Sequence, residues 1–241
     1  MMRNGFEVFE PLHLGWLIAI GLLCISMSYI YYRCSEYQRE WFRKGIGYTL
    51  LIAEICKVIV ILATGKNLLF YLPIHLCGFA IFLILLHAYR NNATIAEILF
   101  SLTIPGAFIA LIFPGWANEP TMSFLHIHSF VYHALILTYP IMLLVTSEIK
   151  PDFRRLWKVA AFLVISIPPV YYFNKIYDTN YMFLNWPISN SPLMSIQQLF
   201  GESRYIVGLV VVLLGVWLIQ YSVWSLCTLI NRVRKRSMHS L

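Results

Sequence analysis

Charge is scarce in this chain. Only 12% of its 241 residues are Asp, Glu, Lys or Arg, while 59% are hydrophobic and the mean hydropathy is +0.70. A soluble domain of this size exposes far more charge, so that class is excluded. Internal repeats and low-complexity segments are missing too. The first apolar run is too long for a signal peptide, and no small-residue cleavage site follows it. The five cysteines are too scattered for a disulfide scaffold, and no pair has metal-finger spacing. Cys24, Cys56, Cys77 and Cys227 fall inside apolar runs and Cys34 at the end of one. Such thiols ordinarily serve as small packing groups.

What the chain does have is apolar length. A spanning helix needs about 20 apolar residues. Seven runs answer to this, over 11–32, 45–64, 74–89, 95–114, 126–146, 157–177 and 205–230. The expected fold is all-α: one integral membrane domain over 1–241 with seven transmembrane helices. An external loop over 178–204 and a basic cytoplasmic tail over 231–241 complete it. Pro105-Gly106, Pro140 and Pro168-Pro169 interrupt the fourth, fifth and sixth runs. They form no matched pair between two halves, which argues against an inverted-repeat transporter.

The basic residues test the helix count. With seven spans, Arg3, Lys66, Lys175 and Arg204 share one side. The other side holds Arg33, Arg39, Arg43, Lys44, Arg90, Lys150, Arg154, Arg155, Lys158, Arg232, Arg234, Lys235 and Arg236, leaving Lys57 within a helix. The positive-inside rule then puts the N-terminus outside and the C-terminus in the cytoplasm of a multi-pass protein of the cell membrane. The net charge of +7 is therefore topology. Basic residues divided among short loops do not make a nucleic-acid surface. The Arg232–Arg236 cluster reads as a topology anchor that also meets anionic head groups.

The polar residues at membrane depth need a reason. Glu54 and Lys57, at i and i+3, are placed to neutralise each other, although such groups also mark ion or proton relays. Of seven histidines, His13, His75, His126, His128 and His133 map to the outer side, with His87 near an inner end and His239 in the tail. At about 1.5 Å per residue, Cys77 lies about 6 Å below Pro73. With a helix start at Phe124, His128 lies at about 6 Å and His133 at about 13 Å, so either reaches Cys77. Two chemistries fit. A histidine takes the Cys77 proton and the thiolate attacks an acyl carbonyl. Alternatively, three histidines, with or without Cys77, bind zinc. His75-x-Cys77 and His126-x-His128 are weak metal motifs, because helical residues two apart diverge by about 200°. These residues alone leave acyl chemistry, metal binding and structural histidines open. The aromatic residues of the 178–204 loop read either as interfacial anchors or as a lid over a site.

The order Pro11-x-His13, then Leu72-Pro73-Ile74-His75-Leu76-Cys77, then His133, resembles the YwaF family of bacterial integral membrane proteins. The string Asn180-Tyr181-Met182-Phe183-Leu184 followed by Pro187 strengthens the resemblance, which runs over about 9–230. That family is similar to animal transmembrane protein 164, a cysteine-dependent acyltransferase that remodels phospholipids. The resemblance implies Cys77 as nucleophile and His133 as base. It implies a membrane phospholipid as substrate, with no cofactor and no metal. His75, His13 and His128 are expected in support, with His75 binding the carbonyl oxygen or orienting the pair. Asn180 and Tyr181 are expected in a lid or substrate-binding segment. Many relatives carry an acidic or polar residue after the cysteine; this chain has Gly78. The expected function is a lipid acyltransferase or acyl hydrolase working at the external membrane interface. The rival is a non-enzymatic receptor or transporter with a small ligand or metal in a cavity lined by His13, His75 and His133.

Overall fold

The structure, a computed structural model, describes residues 5–189 and 191–239. Arg3 and the side chains of Arg232, Arg234, Lys235, Arg236 and His239 lie outside the described residues. The helices are α1 Pro11–Arg33, α2 Glu36–Ala63, α3 Leu76–Tyr89, α4 Ala93–Ile98, α5 Ile104–Ile112, α6 Phe124–Val145, α7 Leu156–Tyr177, α8 Pro192–Phe200 and α9 Tyr205–His239. No strand occurs among the described residues. A π-turn over Leu99–Thr103 joins α4 and α5 into one apolar helix, Ala93–Ile112.

Among the described residues six helices are long and apolar enough to cross a membrane: α1, α2, α4–α5, α6, α7 and α9. The seventh apolar run behaves differently. α3 has only 14 residues, about 21 Å at 1.5 Å per residue, against a hydrocarbon core of about 30 Å. Helix starts also differ from the apolar runs, because caps rather than hydropathy set them. α2 begins at Glu36 because Ser35 and Gln38 form a capping box: the Ser35 hydroxyl accepts from Gln38 N–H, and the Gln38 side chain accepts from Ser35 N–H at 2.9 Å. The 178–204 segment is not a simple loop, since it contains α8, whose Ile196 and Phe200 lie against Gly208 of α9.

The prolines do less breaking than expected. Pro140 stays inside α6, and Pro168 and Pro169 stay inside α7. Pro105 follows the π-turn, and α9 repairs the backbone there. Proline has no N–H to give to the carbonyl four residues back. That carbonyl belongs to Ser101, and it accepts instead from Trp217 Nε1–H at 3.1 Å. Phe100 O accepts from Gln220 Nε2–H at 2.7 Å. The irregular turn is thus satisfied by side chains of a neighbouring helix, as a backbone away from water requires.

α6 is the centre of the bundle. Of its most apolar stretch 61% is buried, against 17% for each of α1, α7 and α9. It packs on α1, α2, α3 and α5, with Phe130, Ile136, Tyr139 and Met142 fully enclosed. A second apolar cluster joins Phe100 and Leu102 to Val159 and Leu163 of α7 and Trp217 of α9. The outer helices expose Ile18, Leu22, Ile165 and Leu218, which suits lipid contact.

Basic residues gather at one end. Arg43 and Arg39 reach Glu148 at 2.7 and 3.4 Å, and Glu148 also accepts from the Tyr31 hydroxyl at 2.8 Å. Arg155 lies 3.6 Å from the buried Glu97, which also accepts from the Tyr221 hydroxyl. The starts of α3 and α6 belong to the opposite end.

Candidate functional site

The segment before α3 folds back on the helix it introduces. α2 ends at Thr64, Gly65 takes a left-handed φ of +67°, and Asn67 caps a short turn over Leu68–Phe70. Pro73 then lies directly against the first turn of α3. An added Cβ on Gly78 would stand 2.3 Å from the Pro73 carbonyl oxygen and 2.4 Å from its carbon. Real Cβ contacts do not come that close, so only glycine fits at this position. The missing side chain after Cys77 is thus a steric requirement of this fold.

Cys77 occupies the first turn of α3 and is partly exposed. Its carbonyl oxygen accepts from the Tyr132 hydroxyl of α6 at 2.6 Å. This bond sets the depth of the site. Tyr132 lies eight residues into α6, about 12 Å along the helix. Cys77 is therefore deeper than the 6 Å that counting from Pro73 suggests, because the segment before α3 descends into the bundle. Among the described residues the Cys77 thiol makes no side-chain hydrogen bond.

His133 follows Tyr132 directly. Its Nδ1–H donates to Ser129 O at 2.7 Å, and its ring stacks on Trp116 at 4.6 Å. The neutral ring therefore keeps an unprotonated Nε2. His75 is the N-cap residue of α3, yet its side chain does not cap that helix. Its Nδ1 accepts instead from the Met182 N–H at 3.0 Å. His75 and His133 lie within electrostatic reach of each other, and both feel the charge of Lys57. Lys57 pairs with Glu54 at 2.7 Å, the i, i+3 neutralisation expected from their spacing. The pair thus borders the histidine site. His128 stacks on Tyr132 at 5.5 Å and also feels Lys57.

The histidines of the outer half divide into two groups. His75, His128 and His133 surround the α2–α3–α6 contact. His13 is elsewhere: fully buried, it bonds Leu111 O at 2.8 Å and accepts from Phe9 N–H at 2.9 Å. Both ring nitrogens are occupied: Nε2 ties α1 to the end of α5, and Nδ1 holds the segment before α1. His126 accepts from Trp16 Nε1–H at 3.1 Å on the α1 side. The expected cavity of His13, His75 and His133 is therefore not formed, because α1 turns His13 toward Leu111 of α5 while His133 of α6 bonds Ser129 and stacks on Trp116. Among the described residues no group of three or more His, Cys, Asp or Glu is placed to hold a metal ion.

The Asn180–Leu184 string is docked onto this site. Asn174 of α7, fully buried, donates to Tyr181 O at 2.9 Å and accepts from Tyr181 N–H and the Thr179 hydroxyl, both at 2.8 Å. Asn180 Oδ1 accepts from Asn185 and Trp186 N–H, at 3.1 and 3.3 Å. The Tyr181 hydroxyl accepts from Leu72 N–H at 2.8 Å and donates to Leu69 O at 2.7 Å. Tyr181 thus clamps the segment that leads into α3. Met182 and Phe183 both take a φ of +56°, a left-handed conformation that non-glycine residues rarely adopt. Sequence reading passed over Tyr132, Trp116 and Asn174. A tyrosine within an apolar run and a tryptophan in a connecting turn carry no signal beyond packing and interfacial anchoring, and Asn174 shows its role only once the loop returns to it.

A helical bundle with six membrane-length apolar helices among the described residues defines a polytopic membrane protein. Its particular kind follows from the sequence profile of the TMEM164 family, which matches residues 8–221. The chain belongs to that family. No curated protein and no solved structure matches it.

Proposed function

We propose that this protein is a membrane-embedded lipid acyltransferase or acyl hydrolase that works through a thioester on Cys77, with His133 as its base. One arrangement carries the reading. The Tyr132–Cys77 hydrogen bond holds the start of α3 beside the α6 turn that presents His133, and the Ser129 carbonyl leaves His133 Nε2 as a proton acceptor. Membership of the TMEM164 family supports it, as do the Leu72–Cys77 and Asn180–Leu184 strings, which resemble those of the YwaF family.

The reaction balances within these residues. His133 Nε2 takes the thiol proton while the sulfur attacks the ester carbonyl carbon of a phospholipid. Proton and sulfur move together, because a separate charge among packed helices is costly. The ester C–O bond breaks, and the departing lipid alkoxide recovers the proton from His133. An acceptor hydroxyl, from a lysolipid or from water, then gives its proton to His133 and attacks the thioester. The C–S bond breaks and His133 returns that proton to the leaving sulfur, which restores the Cys77 thiol. The short α3, together with the descending segment before it, completes a seventh crossing. The basic end faces the cytoplasm of the cell membrane, and the site opens toward the external side.

Incubation of the purified protein with a phospholipid carrying an alkyne-tagged acyl chain tests this. Wild type acquires a label that hydroxylamine removes; Cys77→Ala and His133→Ala do not. Label that persists in Cys77→Ala would sink the nucleophile. One observation favours a second reading, a receptor or transporter: the Cys77 thiol has no hydrogen bond to either histidine. That reading expects no covalent adduct, and transport or ligand binding that survives Cys77→Ala.

A further inference from the structure

His75 and His133 carry opposite tautomers. A carbonyl only accepts, so the Ser129 contact fixes the hydrogen of His133 on Nδ1 and bares Nε2. A backbone N–H only donates, so the Met182 contact bares His75 Nδ1 and puts the hydrogen of the neutral ring on Nε2. Neither Nε2 has a protein partner among the described residues, and both residues are partly exposed. The buried histidine nitrogens without partners belong to His87, His126 and His128. The two ring nitrogens left free are therefore one donor and one acceptor. His75 is the N-cap residue of the helix that carries Cys77, and His133 follows Tyr132, whose hydroxyl bonds the Cys77 carbonyl.

We infer that His75 is a second catalytic histidine, whose Nε2–H binds the carbonyl oxygen as Cys77 attacks, and that Met182 is the positioning residue that holds it in the donor form. The inference rests on the Cys77–His133 reading. Attack on the carbonyl carbon moves an electron pair onto its oxygen, and a preplaced donor stabilises that charge. No proton is transferred by His75. The same oxygen remains on the acyl group in ester and thioester, so one donor serves both half-reactions. A base at this position would compete for the Cys77 proton, and the Met182 contact prevents that by reserving Nδ1.

The loop is built to make this contact. The left-handed Met182 and Phe183 turn the Met182 N–H toward the ring. Asn174 and Asn180 hold the strained turn through the hydrogen bonds described above. Tyr181 and Phe183 fix the plane of the imidazole, with ring centroids at 4.9 and 5.2 Å. A histidine that merely packed would not need its tautomer chosen by a strained peptide. Strain of this kind persists where the surroundings over-determine it and clusters at functional sites.

Two isosteres separate catalysis from packing. In His75→Asn the amide oxygen replaces Nδ1 and keeps the Met182 contact, but no donor reaches the site. In His75→Gln the amide N–H takes the place of Nε2–H. The rate of Cys77 acylation is measured in a single turnover, with the full chain in vesicles of phosphatidylcholine bearing an alkyne-tagged acyl chain. His75→Ala and His75→Asn should slow acylation by about 10²–10³-fold, the usual effect of one lost oxyanion donor, and His75→Gln should recover most of it. Rescue by Asn rather than Gln, or an unchanged rate in His75→Ala, would overturn the inference while leaving Cys77 and His133 in place. No adduct in wild type would defeat the underlying reading and this inference together. Nitrogen-15 spectra of histidine-labelled protein give a readout independent of turnover. The resonance lost in His75→Gln should report a proton on Nε2, and a proton on Nδ1 would overturn the assignment.

Discussion

The carbonyl of Pro73 lies so close to Gly78 that a Cβ on residue 78 would stand 2.3 Å from its oxygen. This contact explains why the residue after Cys77 is glycine. Gly78→Ala forces the segment before α3 away from the helix, an overpacking that costs about 1–3 kcal/mol. Gly78→Asp disturbs it further. Thermal unfolding in detergent should show the loss, together with weaker acyl labelling of Cys77. An alanine variant as stable and as reactive as wild type would refute the steric account.

Tyr132 and Cys77 are joined by a single hydroxyl. Tyr132→Phe keeps the ring and removes the bond, at about 0.5–1.5 kcal/mol. The fold should survive, and Cys77 labelling should fall by more than the stability does. Equal falls would mean that the bond only holds helices together.

Asn174 is buried and makes three hydrogen bonds to the 179–181 turn. Asn174→Ala orphans buried backbone groups, each worth about 1–3 kcal/mol. Hydrogen exchange over 179–186 should then accelerate while α6 stays protected. Unchanged protection of the turn would show that other contacts suffice to hold it.

The Glu54–Lys57 pair sits at 2.7 Å beside the histidines. Removal of one partner leaves an uncompensated charge, at about 3–5 kcal/mol. Glu54→Gln and Lys57→Met should each destabilise strongly, and the double variant should be nearer wild type. A double-mutant cycle measures the coupling, and additive losses would argue against a functional pair.

Burial pushes the Tyr181 phenol up to about 12, and the Leu72 N–H only partly offsets this. The folded value is raised above the unfolded value of about 10. The clamp is therefore fully formed below pH about 10 and is lost as pH rises toward about 12. Proteolysis within 178–189 should show an alkaline step that Tyr181→Phe abolishes. A step of the same size in the variant would assign it to another group.

The sequence by itself determined the class of this protein. A backbone in lipid must be helical or closed into a barrel, and long unbroken apolar runs, unlike the alternating strands of a barrel, select the helical bundle. The asymmetry of basic residues was also legible, because loop charge is a linear property, and the structure gathers Arg39, Arg43 and Arg155 at one end. The Glu54–Lys57 pair was legible because its two partners share one helix. Periodicity did not reveal that α3 is short, since the descent of 64–75 depends on Pro73 lying against Gly78 and on the Tyr181 clamp. The histidines show the limit most clearly. Along the chain His13, His75 and His133 are equivalent polar residues near helix starts. Tertiary packing alone gave both nitrogens of His13 to the backbone and one each of His75 and His133. Which nitrogen stays free depends on whether a carbonyl or an N–H arrives from a distant segment, and the Met182 N–H that meets His75 comes from 107 residues away.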